Sequence, residues 1–147
     1  MRFVVGVMYE YKAVVDRIID GDTLDADIWL GFDVVLPKQR IRLWGIDTPE
    51  SRTRNKEEKV RGLLSKAYLI ALAPVGSTLR LQSRDKGKFG RILGVIFAGA
   101  DETSINQRMC DSGYAVPYHG GNKDALETLH MQNRTRLIEQ GILPAKV

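Results

Sequence analysis

Apolar side chains recur at short spacing along much of the chain, and clusters of turn-forming residues interrupt them. Asp20-Gly21-Asp22 and Gly31-Phe32-Asp33 break the first third of the sequence into a meander. Such alternation between turn signals is typical of short antiparallel strands. The pattern predicts five strands, at about residues 11–19, 23–30 and 34–46, and at Thr78–Leu81 and Ile92–Phe97.

Between Glu57 and Leu72 the apolar period changes to that of an amphipathic helix. We expect one face of this helix to pack against the sheet, and its members are Val60, Leu63, Leu64, Ala67, Tyr68, Ala71 and Leu72. The opposite face is expected to meet solvent and contains Glu57, Glu58, Lys59, Arg61, Ser65 and Lys66.

Two further helices are predicted, a short one over 101–112 that ends at Gly113 and a longer one over 123–140 that ends at Gly141. Strands with helices added at intervals indicate an α+β domain that forms a small barrel.

Composition narrows the class of protein. A chain of 147 residues with 44% hydrophobic and 27% charged residues is typical of one globular domain. The sequence has no apolar window of about 18 residues, so a membrane-spanning protein is excluded. The net charge of +4 favours polyanions only mildly.

Two features bear on location. The single cysteine, Cys110, cannot form an internal disulfide and is compatible with a reducing compartment. Residues 1–8 make a poor secretory signal, so we expect a cytoplasmic protein unless a leader has been removed.

Three segments carry candidate chemistry, although each also has a plain structural interpretation. Asp20-Gly21-Asp22-Thr23 favours a hairpin turn, because Asp-Gly tolerates positive φ angles, but Asp22 also offers a carboxylate to a hard cation. Arg42 shares an otherwise apolar strand face, and its simple explanation is an exposed or snorkelling side chain. Asp47-Thr48-Pro49 is typical of a turn, and Arg91 of a solvated residue at a strand start.

In this order the segments resemble the signature of the staphylococcal nuclease family. That signature is Asp-Gly-Asp-Thr, then Arg-x-x-x-x-Asp-Thr-Pro-Glu, then Gly-Arg before a strand, and the resemblance extends from about Tyr11 to Leu143. It implies a single domain over residues 1–147, built as a five-stranded OB-type β-barrel with about three helices. It also implies Ca²⁺-dependent hydrolysis of phosphodiester bonds in DNA and RNA.

The resemblance assigns a metal site. Asp22 and Asp47 resemble the family's carboxylate ligands, and Thr48 resembles the residue whose backbone carbonyl binds the metal. Two carboxylates, a carbonyl and waters suit the flexible oxygen shell of Ca²⁺. We expect Ca²⁺ as the cofactor, and we expect no zinc site, because neither histidine has ligands at zinc spacing.

The resemblance also assigns a phosphate site. Arg42 and Arg91 resemble the two arginines that hold the scissile phosphate, and Glu50 resembles the acid assigned as general base. Guanidinium groups bind two phosphate oxygens at once and stabilise the charge that develops there during attack. Glu50 either removes a proton from water or only orients it, and the sequence leaves both possibilities open.

Substrate contacts are expected nearby. Lys88 and Phe89 lie where the family places a lysine and a tyrosine against the nucleotide, so Phe89 keeps a stacking face but loses a hydroxyl. Tyr118 is the best candidate for base or sugar contact, whereas Tyr114 is expected in the core.

Two other functions compete with a nuclease that prefers single strands and acts as a monomer without a membrane partner. The first is a non-catalytic nucleic-acid- or protein-binding module on the same fold, which usually lacks the arginine and carboxylate set. The second is a generic OB-type ligand binder, which requires three coincident motifs.

Overall fold

Five strands close into a barrel in the computed structural model of the protein, which describes residues 9–86 and 90–146. A pair of very short strands and three helices complete the described part of the chain. In chain order the elements are β1 (Glu10–Asp20), β2 (Thr23–Gly31), β3 (Val34–Leu43), β4 (Ile46–Asp47), α1 (Lys56–Leu72), β5 (Thr78–Lys86), β6 (Ile92–Ala98), α2 (Ile105–Asp111), β7 (Val116–Pro117) and α3 (Lys123–Glu139). The predicted α+β class with a five-stranded OB-type barrel is confirmed.

The barrel strands follow the order β1-β2-β3-β6-β5, and β1 pairs with β5 to close the ring. Sequential strands form antiparallel hairpins, which short turns can join. β3 and β6 instead run parallel, and they pair only from Ile41 opposite Ile92 to Leu43 opposite Gly94. We call this contact the parallel seam.

The interior of the barrel is filled by aliphatic side chains that alternate along the strands, as a half-buried strand requires. Leu24, Ile41, Leu43, Leu79 and Ile96 are essentially inaccessible to solvent. Burial of such side chains is the main favourable contribution to folding, about 1.5–3 kcal/mol for each.

The third strand is shorter than predicted. It ends at Leu43 rather than at residue 46, because Gly45 adopts a left-handed backbone with φ 79° and turns the chain. Ile46 and Asp47 then form β4, which pairs with β7.

The predicted buried face of α1 is only partly correct: Tyr68 and Leu72 pack against the core, but the most deeply buried residues are others. Arg61, Gly62, Ser65 and Leu69 are buried, whereas Leu63 is 47% exposed. The helix is turned because Gly62 lets it approach the backbone of residues 50 and 51, and because the Ser65 hydroxyl donates a 2.6 Å hydrogen bond to the Tyr114 carbonyl.

Side-chain caps fix where the helices begin. Asn55, Ser104 and Asn122 each accept a hydrogen bond from a backbone N–H in the first turn. The Ser104 cap explains why α2 begins at Ile105 and not at residue 101 as predicted. No helix in residues 9–86 and 90–146 is both long and apolar enough to cross a membrane.

Candidate active site

Arg42, on β3, lies between two carboxylates: Asp22 in the turn between β1 and β2, and Asp47 in β4. One terminal nitrogen is 3.3 Å from a carboxylate oxygen of Asp22, and the other is 3.4 Å from Oδ1 of Asp47. The guanidinium also donates to the backbone carbonyls of Leu43 and Ile46 at 3.1 and 3.0 Å. These contacts fix the position of the cation, so Arg42 is not the freely exposed or snorkelling side chain of the simple interpretation.

Asp22 is nearly buried where β1 turns into β2. Burial raises the pKa of its carboxyl group, an effect that the neighbouring Arg42 cation opposes. The Thr23 hydroxyl donates a 2.9 Å hydrogen bond to Oδ1 of Asp22. The Arg42 cation and this hydrogen bond both stabilise the ionised carboxylate.

Gly21 fixes the depth of this turn. A Cβ atom at this position would lie 2.8 Å from Cβ of Ser65 and 3.2 Å from the methyl group of Thr48. Its φ angle is not among the positive values, so close packing and not a left-handed backbone explains this glycine, contrary to the expectation from the sequence.

Asp47 is held from a second direction by α3. Its Oδ2 atom is 2.8 Å from Nε2 of His130, whose side chain is only 8% exposed. Sequence reasoning missed this contact because the two residues are 83 positions apart and His130 belongs to no local motif. The hydroxyl of Thr48, the next residue, is buried without a hydrogen-bond partner among the described residues.

Glu50 and Arg91 face the same space as Asp22, Arg42 and Asp47. All five line an open cavity of about 470 Å³, to which Asp20 and Arg52 also contribute. Burial is the main reason that the pKa of Glu50 is raised, and the nearby carboxylates of Asp20, Asp22, Asp47 and Glu58 add to it. A carboxyl group with a raised pKa is better matched to proton transfer near neutral pH.

A second cavity of about 450 Å³ adjoins the first, because Arg42 and Arg91 line both. Tyr118 and His119 line this second cavity. Tyr114 instead stacks on Tyr68 with ring centroids 4.5 Å apart and packs against the core. Lys88 and Phe89, the other predicted substrate contacts, lie outside the described residues.

The donors at Asp22 and Asp47 fit a hard cation, because both carboxylates converge on the position of a single positive group, Arg42. Among the residues that the structure describes, no three His, Cys, Asp or Glu side chains are arranged to hold a metal ion by themselves. A cation here would therefore also use carbonyl or water oxygens, which Ca²⁺ accepts readily.

Comparison with known proteins places residues 40–141 under the family model described as staphylococcal nuclease homologue. The chain is also 30% identical over 116 residues to a protein named Endonuclease YhcR of Bacillus subtilis (strain 168). The aligned segment covers 74% of this chain and 9% of that protein.

Two other relatives carry less specific names. Protein ParB of Escherichia coli is 28% identical over 141 residues, which are 86% of this chain and 69% of that protein. An uncharacterized lipoprotein of Mycoplasma pneumoniae, the MG186 homolog, is 29% identical over 93 residues, which are 56% of this chain and 31% of that protein. The chain thus spans only a small part of the endonuclease.

Proposed function

Because the chain belongs to the staphylococcal nuclease family, we propose that it is a Ca²⁺-dependent nuclease that hydrolyses phosphodiester bonds in DNA and RNA and prefers single strands. The observation that carries the proposal is the convergence of Asp22, Arg42, Asp47, Glu50 and Arg91 on one open cavity. The two cations and three carboxylates of this set suit a reaction that must hold an anionic diester and activate water beside it.

In the proposed mechanism, the carboxylates of Asp22 and Asp47 and the backbone carbonyl of Thr48 would hold the Ca²⁺ ion. Bound Ca²⁺ would supply Lewis-acid stabilisation of the phosphate and a fixed orientation for it. Arg42 forms an ion pair with each of these carboxylates, and its single charge leaves the group of three with a net negative charge that favours a cation. The guanidinium groups of Arg42 and Arg91, which line the same cavity, bind the oxygens of the phosphate.

Glu50 accepts the proton of the attacking water in this scheme. Its position in the cavity and its raised pKa support this role, because a base whose pKa lies closer to neutrality transfers protons more effectively. Tyr118, in the adjoining cavity, contacts the base or sugar of the same nucleotide. The preference for single strands follows from a groove that admits one strand and its unstacked bases.

Purified protein is incubated with labelled single-stranded DNA in Ca²⁺, in Mg²⁺ or in a chelator. We expect cleavage only in the samples that contain Ca²⁺. Arg42→Ala and Glu50→Ala should each reduce the cleavage rate by about 10²–10³-fold, as the loss of one group that stabilises the transition state does. Arg108→Ala is the matched control, because Arg108 is an arginine on α2 paired with Asp101.

Each alternative result has a definite meaning. Full activity in chelator contradicts the metal assignment. Binding that weakens steeply with salt, without any cleavage, indicates the non-catalytic binding module instead.

A further inference from the structure

Trp44 is 37% exposed beside the candidate active site, and a guanidinium group and an imidazole ring contact its indole ring. The Arg84 guanidinium lies over its ring, 4.7 Å from the centroid. The His119 imidazole is tilted against it at 59°, with ring centroids 4.9 Å apart. We call Trp44, Arg84 and His119 the Trp44 platform.

The backbone below the Trp44 platform is fixed by hydrogen bonds. The backbone N–H of Trp44 donates to the Gly94 carbonyl at 2.8 Å, and the backbone carbonyl of Trp44 accepts from the side-chain amide of Asn106 at 2.9 Å. Trp44 therefore presents its ring from a backbone held on both sides. Binding to such a preorganised surface costs little conformational entropy.

His119 is fixed against the adjacent residue as well. A Cβ atom on Gly45 would lie 2.9 Å from Cε1 of His119, so only glycine permits this approach of the imidazole. The Tyr118 N–H donates to the Gly45 carbonyl at 2.8 Å and holds the segment that carries His119 in place.

The Trp44 platform separates two cavities. The cavity of about 450 Å³ contains Arg42 and Arg91, and a smaller one of about 220 Å³ on the other side contains Arg84. Trp44 and His119 line both. Among the described residues that line the two cavities there is no carboxylate, and the arginines Arg42, Arg91 and Arg84 supply positive charge on both sides of the platform.

We propose that the Trp44 platform binds the base of a second nucleotide of a single strand whose scissile phosphate lies at Arg42 and Arg91, and that Arg84 contacts the backbone of that nucleotide. The inference rests on the proposed function and extends it from a single nucleotide to a strand. Alternating aromatic and cationic side chains bind single strands through base stacking and phosphate contacts, with little dependence on sequence.

The test uses the two tryptophans of the chain. Trp29 is a matched control, because it lies on β2 under the Lys12 ammonium at 4.8 Å and lines neither cavity. Trp29→Leu leaves Trp44 as the only tryptophan, and Trp44→Leu leaves Trp29. Binding of a labelled oligothymidylate of about eight nucleotides is followed by fluorescence anisotropy in a chelator, and binding of thymidine monophosphate is measured by its competition with that oligonucleotide. Tryptophan fluorescence is recorded in parallel.

We expect the oligonucleotide to quench the tryptophan fluorescence of Trp29→Leu and not that of Trp44→Leu. Trp44→Leu and Arg84→Gln should each weaken binding of the oligonucleotide by about tenfold, and binding of thymidine monophosphate, which has no second nucleotide, by much less. The difference between the two ligands separates a strand contact from a general structural defect.

Equal weakening for both ligands means that Trp44 only supports the phosphate site, and this result overturns the inference. Unchanged binding of the oligonucleotide to both variants also overturns it, while the proposed function stands. If the wild-type protein binds neither ligand, the inference fails, and the cleavage assay in Ca²⁺ decides the proposed function separately.

Discussion

Asp47 uses both of its carboxylate oxygens in the folded protein. Oδ1 lies 3.4 Å from Arg42 and Oδ2 lies 2.8 Å from Nε2 of His130. A carboxylate held at both oxygens has a fixed orientation, and loss of a residue that orients a metal ligand in this way typically lowers metal affinity by about 10–100-fold. His130 is therefore a positioning residue of the proposed metal site.

Replacement of His130 by leucine should weaken Ca²⁺ binding by about 10–100-fold, because Asp47 loses the contact that holds Oδ2. His130→Gln should retain most of the affinity, since the glutamine amide can donate in place of the imidazole. Calorimetric titration with Ca²⁺ and no nucleic acid measures the effect, and His119→Leu is the control. Wild-type affinity in His130→Leu would mean that Arg42 alone orients Asp47.

A second prediction at this scale concerns Asp25, which accepts hydrogen bonds from Nε and Nη2 of Arg40 at 2.8 and 3.1 Å. The Arg40 hydrogen bond is the main reason that the pKa of Asp25 is lowered, and Arg17 contributes. A carboxyl group with a lowered pKa stabilises the fold above its ordinary pKa of about 4, and this contribution is lost as the pH falls through the lowered value.

We therefore expect Asp25→Asn to unfold at a lower temperature than the wild type at about pH 7, with the difference becoming smaller below about pH 4. Thermal unfolding followed by circular dichroism across this pH range measures both curves. A difference that is constant with pH would contradict the assignment.

At the scale of elements, α1 faces the barrel in an orientation that its own sequence does not predict. Gly62 is the cause, because a Cβ atom there would lie 2.5 Å from the carbonyl carbon and oxygen of Glu50. The close approach therefore sets both the rotation of the helix and the position of the Glu50 backbone.

Gly62→Ala should destabilise the protein by about 1–3 kcal/mol through overpacking, although alanine ordinarily stabilises a helix interior relative to glycine by about 1 kcal/mol. It should also reduce nuclease activity under conditions where the variant is folded, because Glu50 is displaced. Chemical denaturation and cleavage rates measure the two effects.

The control is Ala67→Gly, on the exposed face of α1, which should cost about 1 kcal/mol of stability and leave the cleavage rate unchanged. A Gly62→Ala variant more stable than the wild type would contradict the packing argument.

The success of sequence-based prediction also differs between elements. All five barrel strands were predicted, because alternation and turn residues are local signals that survive folding, but not all of their ends were correct. β5 continues to Lys86, beyond the predicted end at Leu81, because its polar outer half pairs with β6. The orientation of α1 was not predicted correctly, because Arg61 and Ser65 are polar residues whose burial depends on partners elsewhere. β7 was missed, because two residues are too few for a periodic signal.

The candidate site also contains residues that local sequence patterns predict and contacts that they do not. Asp22, Arg42, Asp47, Glu50 and Arg91 were singled out by short motifs, and the structure brings them to one cavity, while their roles stay predictions. His130 and the contact of Trp44 with Arg84 and His119 depend on pairs that are distant in the chain. Such contacts leave no pattern in a single sequence.

At the scale of the whole molecule, Glu57 connects the first and last helices. Its carboxylate accepts from Nε of Arg61 at 2.8 Å and also from Nε of Arg134 on α3. The Arg61 side chain is only 6% exposed, so its charge depends on this partner. Loss of one member of a buried ion pair leaves the other charge uncompensated.

Glu57→Gln should lower the free energy of unfolding by about 3 kcal/mol, because Arg61 remains buried without its carboxylate. Urea denaturation measures the change. Glu139→Gln, which removes the same charge at the exposed end of α3, should change stability by less than about 0.5 kcal/mol. Equal effects in the two variants would show that net charge and not the buried contact is responsible.

The parallel seam determines when the two arginines of the candidate site come together during folding. It joins β3 to β6 through three residue pairs separated by about fifty positions in the chain, and contacts between such distant residues form late in folding. Arg42 lies within this seam and Arg91 immediately precedes it, so the two guanidinium groups come together only when the ring of strands has closed. In an incomplete or partly unfolded chain, the two halves of the proposed phosphate clamp stay apart, so the proposed activity would be confined to molecules that have completed their fold.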